Sequence, residues 1–330
     1  MKNMKSAVLL TALLLQGFTV LAQAPSLQPS APVPQSAPAD PFPPVNPKNF
    51  MAATPTTQTV NSFLVALWGY DPARVWRIEA IQKTQAPGVS RVVVMVSDGT
   101  PNATIQSVIF YVTPDGNHAI SNVVVPFGAQ PYADLRKVMQ DRADGPARGA
   151  ADKSLLLVEF ANLQCPKCKE VQATMDNLVQ DFPQARVVFQ DLPLVDINPA
   201  SFQAAAYAVC VAKQSNTAFF TYVQAVFDTQ AALTPQGTVQ TLNNDVTKVG
   251  LDPAAIASCA ATQATKDAVN ASVKLAEDEG IDQTPILVVN GRIVPFTSSY
   301  ETLKQIVIHQ AELDGIHVPV PAPHMTTLGK

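Results

Sequence analysis

Cys165-Pro166-Lys167-Cys168 sets two thiols one helical turn apart, after the apolar run Leu155 to Val158 and before a segment with helical periodicity. Cysteines at that spacing can form and break a disulfide between themselves, and a thiolate among them can attack a disulfide of another molecule. A helix start supplies what this chemistry needs. Its unpaired N–H groups and partial positive charge favour an anion, so a thiol held there ionises more readily than a free one. Pro166 suits the first helical position. Cys165 is then the exposed nucleophile, and Cys168, pointing back into the fold, the resolving thiol. Lys167 adds a positive charge nearby, so Pro166 and Lys167 are the residues expected to tune the pair. Other uses of two cysteines fit less well. A zinc site needs four ligands, and none of the four histidines lies close in sequence. Copper(I) favours thiolates, but no methionine or histidine adjoins the motif. A non-enzymatic chaperone or copper carrier is the alternative reading.

The elements around the pair must hold it at a corner. Ser154 to Phe160 is a near-continuous apolar run, as in a strand buried on both faces. After the cysteines, Val171, Met175, Leu178, Val179 and Phe182 recur at helical spacing up to Pro183. Ala185 to Leu192 reads as a second strand, and residues 199–279 as a run of helices, with Asp252-Pro253 as a start signal and Gly280 as a stop. Pro285 to Val294 reads as a strand hairpin turning at Asn290-Gly291, and Ser299 to Leu313 as a last helix. The order is β-α-β, a helical insert, β-β, α. Upstream, residues 51–142 read as a small α+β unit: a helix, a four-stranded antiparallel sheet, and a closing helix from Tyr132. That unit has no cysteine and one histidine, His118, so it reads as a scaffold or interaction module.

The termini bear on compartment. Lys2 and Lys5, an apolar run from Ala7 to Val20, and Ala22-Gln23-Ala24 read as a cleavable signal peptide over residues 1–24. An exported protein meets an oxidising compartment where disulfides persist. Residues 25–50, dense in proline, serine and alanine, read as a disordered linker. Residues 143–153 read as a second linker, 154–316 as the catalytic unit with its insert at about 197–279, and 317–330 as a flexible tail. The net charge of −4 is mild and no basic patch interrupts it, which excludes nucleic acid as an expected partner.

Three separated segments carry a family resemblance: VEFANLQCPKC, VVFQDLPLVDINPASFQAAAYAVC and GIDQTPILVVNGRIV. Together they resemble the thioredoxin superfamily, and within it the Dsb-type thiol-disulfide oxidoreductases of the bacterial periplasm. Residues 51–142 are similar, more faintly, to the N-terminal module of Dsb isomerase-like proteins. The resemblance implies a thioredoxin-like α/β fold with an inserted helical subdomain, and a redox-active cysteine pair with no cofactor and no metal. It implies cysteine-containing exported proteins as substrates, a membrane redox partner, and a homodimer through the N-terminal module as one compatible state. By position it gives Glu159 the role of a buried acid moving protons for Cys168. It makes Thr284-Pro285 a residue-plus-cis-proline pair that binds extended substrate beside the sulfurs. It pairs Cys210 with Cys259 as a structural disulfide, worth about 4 kcal/mol for a loop of about 50 residues. The sequence departs from the family pattern at Asn162, at Lys167 and at Asn198. Oxidase, isomerase and reductase directions all stay open.

Overall fold

The computed structural model describes residues 42–100, 103–193, 199–296 and 299–319. The expected signal peptide, most of the Pro-rich segment, Asn198 and the end of the expected tail lie outside the described residues.

Helix α1 (Thr57–Trp68) starts at Thr56, whose side chain accepts from the Thr59 N–H. Its Val60, Phe63 and Leu64 bury against an antiparallel sheet of β1 (Val75–Lys83), β2 (Ser90–Ser97), β3 (Gln106–Val112), β4 (His118–Ile120) and β5 (Val124–Pro126). The sheet has five strands where four were expected. The run from His118 divides at Ser121-Asn122, turn-forming residues where the Ser121 N–H bonds to the Val123 carbonyl. Packing also begins earlier than residue 51. Pro47–Asn49 forms a 3-10 turn capped by Asn46, and Phe50 bridges to Ile81, so an aromatic side chain anchors the end of the presumed linker.

Helix α2 (Ala133–Arg142) was expected to close this first unit. It packs instead on the second sheet, burying Met139 with Leu156, Val158, Phe160 and Val288, and Arg136 forms an ion pair with Asp314 at 3.1 Å. Leu135, Val138 and Met139 form its apolar stripe, which packs against the second sheet.

That second sheet runs β10-β9-β7-β8-β6, with β6 (Ala147–Gly149), β7 (Leu155–Ala161), β8 (Ala185–Asp191), β9 (Ile286–Val289) and β10 (Arg292–Pro295). β7 and β8 are parallel, and the remaining pairs antiparallel. β6 lies in the stretch read as a linker; its backbone satisfies the outer edge of β8, so the catalytic unit begins before residue 154. Every residue of β7 is buried. Its two faces carry alternate residues: Leu155 and Leu157 meet Met175, Leu178, Ile306 and Val307, while Leu156, Val158 and Phe160 meet Met139, Leu275 and Ala276.

The helix after the cysteines is two helices, α3 (Pro166–Glu170) and α4 (Gln172–Asp181), broken at Val171. The insert comprises α5 (Pro199–Gln214), α6 (Asn216–Thr229), α7 (Thr238–Lys248), α8 (Pro253–Ala260) and α9 (Gln263–Asp278). Its core of Phe219, Tyr222, Phe227, Leu242, Val246 and Ile256 is continuous with Ala161, Leu163 and Cys168. The insert therefore roofs the corner that carries the cysteines. The β9–β10 turn holds Asn290 at φ 43° and Gly291 at φ 88°, as a two-residue hairpin turn requires. A side chain at Gly291 would sit 2.2 Å from the Tyr132 carbonyl oxygen. Helix α10 (Tyr300–Leu313) closes the fold, and Val318 beyond it is buried in the same core as Leu303, so the expected tail is packed at its start. Arg292 and His309 bind the carbonyls of Val65, Ala66 and Leu67 at the end of α1, joining the two sheets. No helix among the described residues is long and apolar enough to cross a membrane.

Candidate active site

Cys165 is the N-cap residue of α3, with φ −81° and ψ 118°, and Pro166 follows as the first helical residue. Extended backbone at the cap turns the Cys165 side chain towards the first N–H groups of the helix. Cys165 is half-buried, whereas Cys168 is fully buried at 0% exposure, its sulfur accepting the Asn162 N–H at 3.4 Å. Neither forms a disulfide in this structure. The Cys165 thiol is pulled down to about 5. The hydrogen bond from the Cys168 thiol contributes most; the Cys168 N–H, the Thr284 hydroxyl and the Lys167 N–H add to it against partial burial. The same hydrogen bond between the two sulfurs, together with burial, pushes the Cys168 thiol up.

The Lys167 ammonium is exposed and bonded to the Glu170 carboxylate at 2.7 Å, and it acts on Cys165 both by charge attraction and through the Lys167 backbone N–H. The partner was readable from the sequence, since Glu170 lies three residues along the same helix.

Thr284 and Pro285 precede β9, and the bond between them is cis, as is Thr54-Pro55 in the first unit. The Thr284 carbonyl oxygen lies 3.6 Å from the Cys165 sulfur, which brings the two distant motifs together. Pro285 enters the strand antiparallel to β7, in which Phe160 pairs with Ile286.

Glu159 points from β7 to the α4 face and is 2% exposed. Burial pushes its carboxyl up to about 7, opposed by the Gln172 amide and the Arg148 guanidinium, while Asp176 adds to the rise. Cys210 and Cys259 lie away from this corner and form a disulfide joining α5 to α8. Thr265 Oγ1 sits 3.5 Å and 3.7 Å from their sulfurs.

Three glutamines not singled out from the sequence join the site. Gln172 donates to Glu159 at 2.7 Å and to the Cys168 carbonyl at 2.9 Å. Gln230, from the insert, donates to the carbonyls of Leu163 and Cys165, while Gln164 reaches back to the Leu233 carbonyl. These bonds lock the loop before Cys165 to the insert. Away from these residues, in a separate cleft, Asp191 at the end of β8 is buried and pushed up to about 8 by burial, and its Oδ1 has no hydrogen-bond partner among the described residues. Gln172 was within reach of the sequence, four residues after Cys168 on the inward side of a helix; Gln230 is 65 residues from Cys165 and gave no local sign.

Solved structures similar to this chain include a thioredoxin-like oxidoreductase from Silicibacter pomeroyi, at 22% identity and TM-score 0.47 over 54% of this chain and 98% of that one. The catalytic domain of ScsC from Proteus mirabilis is similar at 22% identity and TM-score 0.45, over 54% and 98% of the two chains. Oxidised BdbD from Bacillus subtilis is similar at 19% identity and TM-score 0.46, over 51% and 93%. Two curated relatives are Na(+)/H(+) antiporters. NhaA 3 of Salinispora tropica is 26% identical over 145 residues, 44% of this chain and 21% of that protein. NhaA 1 of Salinispora arenicola is 31% identical over 67 residues, 20% of this chain and 10% of that protein. The chain thus spans about a fifth or less of the length of the curated relatives it matches. The family model described as thioredoxin matches residues 141–308, which is 168 of the 330 residues and includes both site cysteines, Glu159, Thr284 and Pro285: the chain belongs to the thioredoxin family.

Proposed function

We propose that this protein is an exported enzyme that exchanges disulfides with cysteine-bearing protein substrates through Cys165 and Cys168. The observation that carries the reading is the asymmetry of the pair: a half-buried thiol at a helix start, lowered to about 5, hydrogen-bonded by a fully buried partner. Cys165 is a thiolate at neutral pH and attacks one sulfur of a substrate disulfide; the other leaves with the bonding electron pair. Cys168 then loses its proton and attacks the Cys165 sulfur, forming the Cys165–Cys168 disulfide and releasing the second substrate sulfur. The reverse sequence oxidises a substrate dithiol with the same atoms. Glu159 serves as the buried acid that takes or returns the Cys168 proton. An extended substrate segment pairs with the Thr284 backbone beside Cys165, as a strand added at an edge. The Cys210–Cys259 disulfide is structural. Residues 51–142 serve as scaffold or dimerisation module, and export rests on the leader pattern of residues 1–24.

Insulin reduction with dithiothreitol as electron donor, run beside an anaerobic copper(I) titration, tests the reading. Catalysed insulin precipitation that disappears when Cys165 is alkylated supports it. No turnover, combined with tight stoichiometric copper uptake, would assign the cysteine pair to metal carriage.

A further inference from the structure

We infer that Gln172 is a positioning residue for proton exchange: it ties the Glu159 carboxylate to the backbone of Cys168 and stands between that carboxylate and an open cleft. The inference rests on the disulfide-exchange reading above and deepens it. Glu159 sits on the face of β7 towards α4, enclosed on every side by protein. Its hydrogen bond is to the Gln172 amide, at 2.7 Å, and the second N–H of that amide goes to the Cys168 carbonyl at 2.9 Å. Both donors of the amide are thus committed, one to the acid and one to the residue whose proton the acid handles. The break between α3 and α4 makes this arrangement available, because it falls at Val171, between Cys168 and the amide that reaches back to it.

The outer side of Gln172 lines an open cleft with Arg148, Asp176 and Phe220. Arg148 is ion-paired with Asp176 and lies over the Phe220 ring, 4.7 Å from its centroid, so the wall of the cleft carries a fixed charge pair that acts on Glu159. During resolution of a mixed disulfide, Glu159 accepts the Cys168 proton, the Cys168 thiolate attacks Cys165, and the substrate thiolate departs with the bonding pair. The proton on Glu159 then passes to water in the cleft, restoring the carboxylate.

The test is a double-mutant cycle on the full chain, with the rate of mixed-disulfide resolution measured against pH by stopped flow for wild type, Gln172→Leu, Glu159→Gln and the double variant. Gln172→Leu should move the inflection of the profile to higher pH and lower the rate at pH 7 about tenfold, with recovery by pH 9. In the Glu159→Gln background the same change should do nothing further. Full additivity, or an unmoved inflection in Gln172→Leu, would overturn the inference while leaving the exchange reading standing. A wild-type profile that Glu159→Gln does not alter would instead remove the acid itself from the reaction. Circular dichroism and thermal melts on all four proteins separate these outcomes from misfolding.

Discussion

The chain contains two cysteine pairs in two settings. Cys210 and Cys259, 49 residues apart in sequence, meet between α5 and α8 inside the apolar core of the insert and are joined. Cys165 and Cys168 share one short helix at the corner of the second sheet and are free. Residue type is the same; surroundings differ. The insert offers its sulfurs the Thr265 hydroxyl and packed side chains. The corner offers N–H groups, the Thr284 hydroxyl and, behind Gln172, a titratable carboxyl. A cysteine pair becomes reactive when charge on one sulfur is stabilised at the expense of the other, and only the corner does that.

The most direct way to break this comparison is to remove one pair at a time. Cys165→Ser should cut insulin-reducing turnover at least about a thousandfold, as loss of a nucleophile does. The double variant Cys210→Ala/Cys259→Ala should retain activity within about twofold per folded molecule, because the two sites share no sulfur contact. Turnover lost with the insert pair, at intact fold, would make that pair a second shuttle.

The same double variant has a price in stability. Opening a loop of this length should cost about 4 kcal/mol on the chain-entropy model, read as a lower midpoint in guanidinium denaturation with activity per folded molecule preserved. A shift below about 1 kcal/mol would mean that packing of Cys210 among Tyr207, Val211 and Val269, rather than the covalent link, holds α5 and α8 together.

Much of this contrast was legible in the residues. The corner announced itself through local signals: a continuous apolar strand, a proline at the first helical position, a periodic helix behind it. The insert followed from its helical spacing and its Asp252-Pro253 and Gly280 punctuation, which the structure matches at α8 and beyond α9. What escaped depends on tertiary partners. α2 reads equally well as an amphipathic helix for either sheet, and its partners on the second sheet lie far along the chain. β6 is three residues long, too short for any period to register, and exists because β8 has an edge to cover. Gln230 is a glutamine in a polar turn until the insert folds over the corner. Lys167 has a partner besides the thiolate, since its ammonium also bonds the Glu170 carboxylate.

Glu159 sharpens the comparison, since the insert pair has no counterpart to it. Its folded value, about 7, lies above the 4.5 of an exposed glutamate. The native state therefore binds more protons between those values than the unfolded chain does. Stability is fully present below about pH 4.5 and is lost as pH rises through about 7. A shift of this size corresponds to about 3 kcal/mol. Glu159→Gln should remove the slope and leave the protein more stable than wild type at pH 8 by up to that amount, measured by denaturation at a series of pH values. An unchanged slope would mean that another buried acid sets it, Asp191 being the one with a raised carboxyl at the end of β8.

The smallest effect tests how the charge on Cys165 is shared among its donors. The Cys168 thiol is the largest contributor and the Thr284 hydroxyl a lesser one. Cys168→Ala should therefore raise the alkylation inflection of Cys165 well above about 5. Thr284→Val keeps the side-chain shape and the backbone carbonyl but deletes the hydroxyl donor, and should raise the inflection by about one pH unit, in line with the low end for a hydrogen bond to a charged group. Iodoacetamide modification rates against pH, on reduced protein, measure both. If Thr284→Val moved the inflection as far as Cys168→Ala does, the strand before β9 would be setting the thiolate as strongly as the buried sulfur. The asymmetry of the corner would then belong to three elements of the fold, the α3 start, the buried thiol and the β9 entry, rather than chiefly to the cysteine pair.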